Sequence, residues 1–233
     1  MTLSMTCPHK WDLSPKEAVG LQRELANKIA FQPVPEDFEV LGVSDISYMK
    51  SADRLVVVVL TFRWPTLERL ETIHLAAPIR FPYVPGLLSF REIPPLLEAY
   101  SQLKRPADVF LCDGQGIAHP RKLGLASHLG LCLDIPTVGC AKSRLCGEHE
   151  HLELTRGNYT PLSLSGEVVG YVYCSRSRVK PIYISPGHLT DLESSRKLVE
   201  GCLGRYRIPE PLRQAHNTAT LLRKSLYPGE RNA

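Results

Sequence analysis

Long hydrophobic runs are missing from this sequence. The longest purely aliphatic stretch is Leu55–Leu60, which suits a buried strand and is far shorter than the ~20 residues that a membrane-spanning helix needs. The first residues, as far as Leu13, include Pro8, Lys10 and Asp12 and contain no apolar segment of the kind found in a secretory signal. We therefore predict a cytoplasmic protein with no membrane partner.

A strong charge of either sign is also missing. The 233 residues include 28 Lys and Arg against 24 Asp and Glu, a formal net charge of +4, which permits a polyanionic partner without requiring one. Apolar residues make up 43% and charged residues 22%, as in ordinary folded domains, which excludes collagen-like, coiled-coil and disordered chains. The sequence has no internal repeat, low-complexity tract or obvious linker, so we predict a single domain over residues 1–233.

The cysteines follow no disulfide or zinc framework. Seven cysteines are scattered along the chain, and this odd number favours reduced thiols. Cys140, Cys146, His149 and His151 lie close together in sequence, but their spacing matches none of the usual zinc motifs. We expect a polar loop there. A zinc-dependent protein built on these four residues stays open as an alternative that metal analysis would test.

The order of the predicted elements indicates an α/β fold. Ser14, Pro15 and Glu17 are typical of a helix start, with a capping Ser, Pro at the first position and Glu at the third. An antiparallel meander of three strands is predicted next, with short polar or Pro-containing breaks between strands: Phe38–Tyr48, Leu55–Phe62 and Glu68–Ala76. The second strand is apolar on both faces, so we predict that it is central and covered on both sides.

Helices and strands then alternate, which favours parallel strands joined by helical crossovers. The predicted helices are Ser89–Leu103, Leu123–Leu133, Leu189–Arg205 and Pro209–Leu226, and the predicted strands are Val109–Asp113, Pro136–Cys140, Glu167–Cys174 and Pro181–Ile184. The sequence therefore predicts a mixed sheet, an antiparallel meander plus parallel strands, flanked by helices.

Three carboxylates are candidates for a metal site. Asp113 ends a short buried strand and is followed by a Gly-rich loop, at the strand end where α/β sheets bind ligands; an ordinary Asp-Gly turn is the alternative. Asp45 lies within an apolar strand pattern, where a carboxylate is costly unless paired or metal-bound; an outward-facing Asp at a fraying strand end is the alternative. Glu92 matches a capping box that begins at Ser89. Together these acids suit Mg²⁺, which prefers a few carboxylates and substrate phosphate oxygens.

The loop Phe81–Gly86 is the most unusual segment. Pro82 and Pro85 frame Tyr83 and restrict its backbone. A rigid exposed aromatic can stack on a base or enter a base step, whereas a Tyr packed beneath the loop would be structural.

Four sequence blocks resemble the endonuclease V family, nucleases that attack inosine-containing nucleic acid. The blocks are 42–48, Arg80–Glu92, Asp113–Arg121 and Pro136–Leu145, and the second and third are long, specific and correctly separated. The similarity extends from about Asp12 to Tyr227. In the first block Gly42 stands three residues before the acid, where the family usually has Gly two residues before it, and we align on Asp45 because Ile46–Tyr48 then fits.

The resemblance implies an RNase H-like fold and an acidic metal site. Asp45 and Asp113 would hold Mg²⁺ directly, with Mn²⁺ as a substitute, and Glu92 would complete the cluster through water. Lys142 would lie near the scissile phosphate, and His216 falls where the family has an active-site His.

The resemblance also implies how the substrate is recognised and cut. Tyr83 would be the wedge that replaces a displaced base, and the flipped hypoxanthine would sit in a pocket lined by Gly86, Leu88, Gly114, Gly116 and His119. The cut would fall at the second phosphodiester 3′ to inosine, leaving a 3′ hydroxyl and a 5′ phosphate. We expect a monomer that acts on DNA in repair; the alternatives are an inosine-specific ribonuclease and a non-catalytic inosine-binding domain.

Overall fold

The computed structural model describes residues 7–49 and 53–226 and contains one eight-stranded sheet. The strand order is β3-β2-β1-β4-β5-β8-β7-β6. The strands are β1 (Val40–Met49), β2 (Arg54–Arg63), β3 (Glu68–Pro78), β4 (Val109–Cys112), β5 (Thr137–Ala141), β6 (Tyr159–Leu164), β7 (Glu167–Tyr173) and β8 (Ile182–Pro186). Strands β1, β2 and β3 pair antiparallel, whereas β4 pairs parallel with both β1 and β5. The predicted mixed sheet is therefore confirmed.

Helices cover both faces of this sheet. They are α1 (Pro15–Ala26), α2 (Leu88–Tyr100), α3 (Leu125–Leu133), α4 (Leu192–Gly201) and α5 (Glu210–Leu226). One buried apolar cluster packs α4 and α5 on one face, and a second packs α2 and α3 on the other. Residues Leu55–Leu60 are fully buried between the two layers, as predicted for a central strand. None of the helices in the described residues is both long and apolar enough to cross a membrane.

Strand β6 and the start of helix α4 differ from the sequence prediction. Strand β6 was not predicted, because Pro161 interrupts its apolar pattern; β6 is the last strand of the sheet, where a proline is tolerated. Helix α4 starts later than predicted, since Leu189 has a positive φ of 51° and the Asp191 side chain caps the helix by accepting from the Ser194 N–H.

The capping box predicted at Ser89 is wrong. Helix α2 begins at Leu88, and its N-cap residue, Leu87, makes no side-chain capping bond. The Ser89 hydroxyl instead lies 2.9 Å from Nδ1 of His128, and Glu92 accepts from the hydroxyl of Tyr48. The helix therefore begins two residues before Phe90, the first helical position that the motif predicts. The capping box predicted at the start of α1 is confirmed, with Ser14 and Glu17 bonded to each other's backbone amides.

The prediction that all cysteines are free thiols is wrong for one pair. Cys7 and Cys132 are joined as a disulfide across 125 residues of sequence, because the N-terminal segment packs beside α3. The other five cysteines are free. Within the described residues, Cys140, Cys146, His149 and His151 form no group with metal-ligating geometry; Cys140 is buried in β5 and His151 is exposed.

Candidate active site

Asp45 and Asp113 lie side by side near the centre of the sheet. The parallel ladder between β1 and β4 ends at the pair Ser44 and Cys112. Asp45 is the next residue within β1, and Asp113 directly follows β4. They open into a cavity of about 240 Å³, which we call the acidic cavity. Its lining is Ser44, Asp45, Ile46, Leu88, Glu92, Leu96, Asp113, Leu125, Lys142 and His216. All five residues predicted to be catalytic are therefore brought together.

Helix α5 supplies a histidine to this cavity. Leu212, Ala215 and Ala219 of α5 are buried in the same apolar cluster as strand β1. That packing places Nδ1 of His216 at 3.4 Å from Oδ1 of Asp45, with the His side chain 55% exposed. Asp45 itself is 9% exposed. Its carboxylate therefore lies in the acidic cavity, and the alternative of an outward-facing Asp is wrong.

Glu92 reaches the cavity from α2, on the other face of the sheet. It is buried, and the Tyr48 hydroxyl donates a hydrogen bond of 2.7 Å to its Oε1. The Arg91 guanidinium lies 4.8 Å from the centre of the Tyr48 ring. Tyr48 was missed as a site residue, because nothing in the sequence pairs a strand residue with a helix residue 44 positions later.

Lys142 follows β5 directly and forms an ion pair with Oδ2 of Asp113. The Lys side chain is 42% exposed and that of Asp113 is 17% exposed. The pair therefore stands at the mouth of the cavity, where the ammonium group remains accessible to an anionic ligand.

The carboxylates of the cavity are hard to ionise together. Burial and, to a smaller extent, the charge of Asp113 raise the pKa of Asp45 to about 6, although His216 and Lys142 oppose the shift. Burial likewise raises the pKa of Glu92 to about 7; the charges of Asp45 and Asp113 add to the shift, and the Tyr48 hydrogen bond opposes it. Buried, mutually repelling carboxylates of this kind are typical of cation sites.

A second cavity adjoins the first and lies beneath the Pro-rich loop. This loop pocket has a volume of about 410 Å³ and shares Leu88, Asp113, Leu125 and Lys142 with the acidic cavity. Its remaining lining is Tyr83, Val84, Pro85, Gly86, Ser89, Gly114, Gln115, His119, Leu123, Gly124, Ala141, Ser143, Arg144 and Leu145. The Tyr83 side chain is 71% exposed, so it is not packed beneath the loop.

The carbonyl of Gly86 fixes the loop from below. It accepts hydrogen bonds from Gln22 Nε2 at 2.9 Å, Arg121 Nη2 at 2.9 Å and His119 Nε2 at 3.1 Å. Because His119 Nδ1 accepts from the backbone N–H of Arg121, the ring proton is on Nε2. Burial and, to a smaller extent, the charge of Arg121 lower the pKa of His119 to about 4, while the hydrogen bond to the Gly86 carbonyl opposes the shift. His119 is therefore neutral, and its hydrogen bonds link the loop Phe81–Gly86 to the loop that follows β4.

The predicted pocket glycines and prolines divide into two groups. Gly86, Gly114 and Pro85 line the loop pocket. Pro82 is exposed and does not line the pocket. Gly116 does not line the pocket either, and contacts β8 instead. The Gly116 N–H donates to Ser185 Oγ at 2.7 Å, and a Cβ on Gly116 would lie 1.9 Å from the carbonyl oxygen of Pro186.

Gln115 and Ser143 also belong to the pocket, although sequence reasoning assigned them no role. Gln115 Nε2 donates to the carbonyl of Ser143 at 3.0 Å, and its buried Oε1 has no hydrogen-bond partner among the described residues. Both residues stand inside the sequence blocks that carry the resemblance, which was the only signal available for them.

Comparison with known proteins agrees with this geometry. A family model described as Endonuclease V matches residues 23–217. The endonuclease V of Gloeobacter violaceus is 45% identical over 223 residues, covering 94% of this chain and 91% of that protein. The crystal structure of endonuclease V from Streptomyces avermitilis has a TM-score of 0.87 and 34% identity, covering 93% of this chain and 96% of that one.

A third relative was crystallised with nucleic acid. Ciona intestinalis endonuclease V, in complex with a 24mer DNA containing an inosine followed by a ribo-adenosine, has a TM-score of 0.80 and 28% identity, covering 91% of this chain and 98% of that one. The family match spans both cavities, and these relatives align along nearly the whole chain. The chain therefore belongs to the endonuclease V family.

Proposed function

We propose that this protein is a Mg²⁺-dependent endonuclease that recognises inosine in DNA and hydrolyses the second phosphodiester on its 3′ side. One observation carries the proposal: the acidic cavity, with its three carboxylates, opens directly into a pocket whose rim holds an exposed aromatic. A site for phosphate chemistry and a site for a displaced base are thus adjacent, sharing Asp113 and Lys142. The Ciona intestinalis complex with inosine-containing DNA supports the choice of substrate.

The donor set of the acidic cavity fits a hard cation. Asp45 and Asp113 would hold Mg²⁺ or Mn²⁺ directly, and Glu92 would hold it through water, because carboxylate oxygens are the ligands such ions prefer. The bound ion supplies Lewis-acid stabilisation of the phosphate and of the departing oxygen.

The side chains at the rim of the cavity position and neutralise the phosphate. Lys142 is the accessible cation, and its ammonium group can bind a phosphate oxygen while it remains beside Asp113. His216 is half-exposed, and its contact with Asp45 orients the ring; it can take a proton from the attacking water. The water oxygen bonds to phosphorus, the bond from phosphorus to the 3′ oxygen breaks, and that oxygen gains a proton. The products are a 3′ hydroxyl and a 5′ phosphate.

Tyr83 is the wedge in this proposal. The Tyr83 ring is exposed while the loop beneath it is fixed through Gly86. Such a ring can fill the place of a base that leaves the stack. In the loop pocket, Leu88, Gly114 and backbone groups of the loop would contact the flipped hypoxanthine, while Gly116 and His119 would support the pocket walls.

Four further expectations complete the proposal. We infer a single domain over residues 1–233, because all eight strands belong to one sheet. A monomer in the cytoplasm, acting in DNA repair, is the working expectation. Gel filtration and cell fractionation would test the first two parts of that expectation directly.

The test uses matched end-labelled strands of DNA and RNA, each with one inosine, and matched strands with adenine. We expect cleavage one nucleotide beyond inosine with Mg²⁺, none with EDTA, and a loss in Asp113→Ala larger than the ~10²-fold typical of an outer-shell partner. Asp37→Asn removes an exposed carboxylate far from the cavity and should cut normally.

Each outcome of that assay discriminates. Binding of inosine strands without cleavage would leave a non-catalytic binding domain. Cleavage of the RNA strand alone would show that RNA, and not DNA, is the substrate. Normal cutting by Asp113→Ala would remove the metal site from the mechanism.

A further inference from the structure

Two cysteines and two histidines meet beside α3, and none of them lines either cavity. Cys7 and His9 belong to the N-terminal segment, whereas His128 and Cys132 stand one helical turn apart on the same face of α3. The ligand atoms of Cys7, His9 and Cys132 all lie within 4.8 Å of one another. The Nε2 atoms of His9 and His128 are 2.7 Å apart, so the fourth side chain points into the same space.

Hydrogen bonds orient both imidazole rings toward this space. His9 Nδ1 lies 2.7 Å from the carbonyl oxygen of Lys10, which can only accept, so Nδ1 carries the proton and Nε2 keeps a lone pair. His128 Nδ1 lies 2.9 Å from the Ser89 hydroxyl, which can accept in the same way. Metal-binding histidines characteristically donate their second ring N–H to an oxygen, which orients the ring.

We propose that Cys7, His9, His128 and Cys132, with both cysteines reduced, form a structural Zn²⁺ site. Two thiolates and two imidazoles are a common ligand set of closed zinc sites. Zn–N bonds of ~2.0–2.1 Å and Zn–S bonds of ~2.3 Å at tetrahedral angles place ligand atoms about 3.3–3.8 Å apart, and Cys7 Sγ lies 3.7 Å from His9 Nε2. Binding requires the two sulfurs to separate from contact and the two Nε2 atoms to move apart by about 0.6 Å. His128 must also move toward the sulfurs, because it is not in the group whose ligand atoms all lie within 4.8 Å of one another.

The protonation balance of this step is simple. The Cys7–Cys132 disulfide first gains two electrons and two protons from a thiol or phosphine reductant, which is oxidised, and gives two thiols. Each thiol then releases one proton to solvent and becomes a thiolate, so two protons leave for each Zn²⁺ that binds. The imidazoles remain neutral, each with its proton on Nδ1. Two thiolates then neutralise the ion fully, which suits a site whose His128 side chain has no solvent exposure.

The surroundings indicate a structural site and not a catalytic one. All four ligand positions come from protein side chains, which leaves no position for water or substrate. Aromatic rings enclose the cluster: Trp11 is 5.3 Å and Phe90 is 4.9 Å from the His128 ring, between centroids. Thiolate ligands select Zn²⁺ over Mg²⁺, whereas the acidic cavity has the opposite preference. The two sites would therefore bind different ions.

Such a site would tie three parts of the fold together. It would join the N-terminal segment to α3 and, through Ser89, to the first turn of α2, which carries Glu92 three residues later. Trp11 also packs against the cluster of Phe81, Leu87 and Phe90 beneath the Tyr83 loop. The inference rests on this packing and not on the proposed function.

The test is a metal titration of the full-length protein. The protein is purified with a phosphine reductant, stripped of metal, and titrated with Co²⁺ in the presence of excess Mg²⁺. We expect one equivalent of Co²⁺ to give the visible bands of a tetrahedral ion and a near-ultraviolet thiolate-to-cobalt band. One equivalent of Zn²⁺ should remove both signals and raise Tm.

Variants separate this cluster from the other Cys and His residues. Cys132→Ser, Cys7→Ser and His9→Gln should each weaken Co²⁺ binding at least tenfold, and the Cys variants should reduce the thiolate band. The matched controls are Cys146→Ser and His149→Gln, which alter the more exposed Cys- and His-containing loop and should bind as wild type.

Two results would overturn the proposal. One is a reduced wild-type protein that shows no thiolate band at stoichiometric Co²⁺. The other is a band that persists in Cys132→Ser and disappears in Cys146→Ser. Thiol counting in denatured protein prepared without reductant supplies the independent check: seven thiols with bound zinc accord with the site, whereas five thiols and no zinc uptake after reduction would leave a disulfide only.

Discussion

The hydroxyl of Tyr48 donates a 2.7 Å hydrogen bond to the buried carboxylate of Glu92. Tyr48 lies on β1, three residues beyond Asp45, and Glu92 lies on α2. Because successive residues of a strand point to opposite faces, one strand contributes Asp45 to the side of α5 and Tyr48 to the side of α2. The hydrogen bond thus fixes the carboxylate of Glu92, which comes from the helix layer of α2, against strand β1, which carries Asp45.

Tyr48→Phe removes that hydrogen bond while keeping the ring. Glu92 then loses its orienting partner, and we expect the Mg²⁺ concentration at half-maximal cleavage to rise about tenfold, as for other groups that orient a metal site. Cleavage rates over a Mg²⁺ series at fixed pH measure the shift. Tyr171→Phe, on the distant strand β7, is the control, and an unchanged Mg²⁺ requirement in Tyr48→Phe would refute the orienting role.

Tyr83→Ala should impair recognition more than chemistry. Stacking on an aromatic contributes ~1–3 kcal/mol per base, so we expect binding of inosine duplexes to weaken at least about fivefold, with a smaller effect on the single-turnover rate at saturating enzyme. Tyr83→Phe should restore wild-type binding, since it keeps the ring. Phe31→Ala removes another exposed ring, outside both cavities, and serves as the control. Equal preference for inosine in Tyr83→Ala and wild type would exclude the wedge.

Gly116→Ala tests whether Gly116 supports the fold. Its Cβ would meet the carbonyl oxygen of Pro186 at 1.9 Å, a contact that only a backbone shift can relieve. We expect a loss of about 3 kcal/mol in the free energy of unfolding, at the upper end for overpacking. Gly20→Ala, in α1 with no atom within 4 Å of the added Cβ, should instead stabilise by up to about 1 kcal/mol. Urea unfolding compares the two, and equal stabilities would contradict the packing role.

His119 should make stability fall in mild acid. Its pKa is about 4 in the folded protein, below its ordinary value of about 6.5, so the unfolded chain takes up a proton first as the pH falls. The contribution of this residue is complete above pH 6.5 and decreases by about 1.4 kcal/mol per pH unit down to pH 4. In His119→Gln the urea midpoint should depend less on pH between pH 6.5 and 4 than it does in wild type. The exposed-site variant His74→Gln should show the same pH dependence as wild type. Parallel curves for wild type and His119→Gln would disprove the assignment.

Local patterns predicted most of the sheet and indicated Asp45 and Asp113 as candidate metal ligands. Lys142 and His216 were assigned roles only through the resemblance to the family. The apolar stretch Leu55–Leu60 and the strand end at Asp113 depend on neighbouring residues only, so the sequence is sufficient for them. Glu92 shows the limit of this reasoning, since its motif predicted capping whereas its partner is Tyr48, 44 residues away. Assignment of the site as a whole needed the long matching blocks of the family.

Long-range contacts account for what the sequence could not predict. The meeting of Cys7 and Cys132 depends on how the N-terminal segment packs on α3, and their separation of 125 residues carries no pattern. Strand β6 contains a proline and a half-exposed edge, so its pairing with β7 decides its structure. In both cases tertiary packing supplies information that local composition lacks.

The triple hydrogen bond to the Gly86 carbonyl has a kinetic consequence for the proposed reaction. A loop held by Gln22, Arg121 and His119 has little freedom to move toward a target. The double helix must therefore open through its own fluctuations. Unpairing costs least where a base pair is already weak. The rate at which bases enter the loop pocket should therefore depend on how readily the duplex opens locally. Weakly paired sites would be bound first, before the identity of any base is recognised.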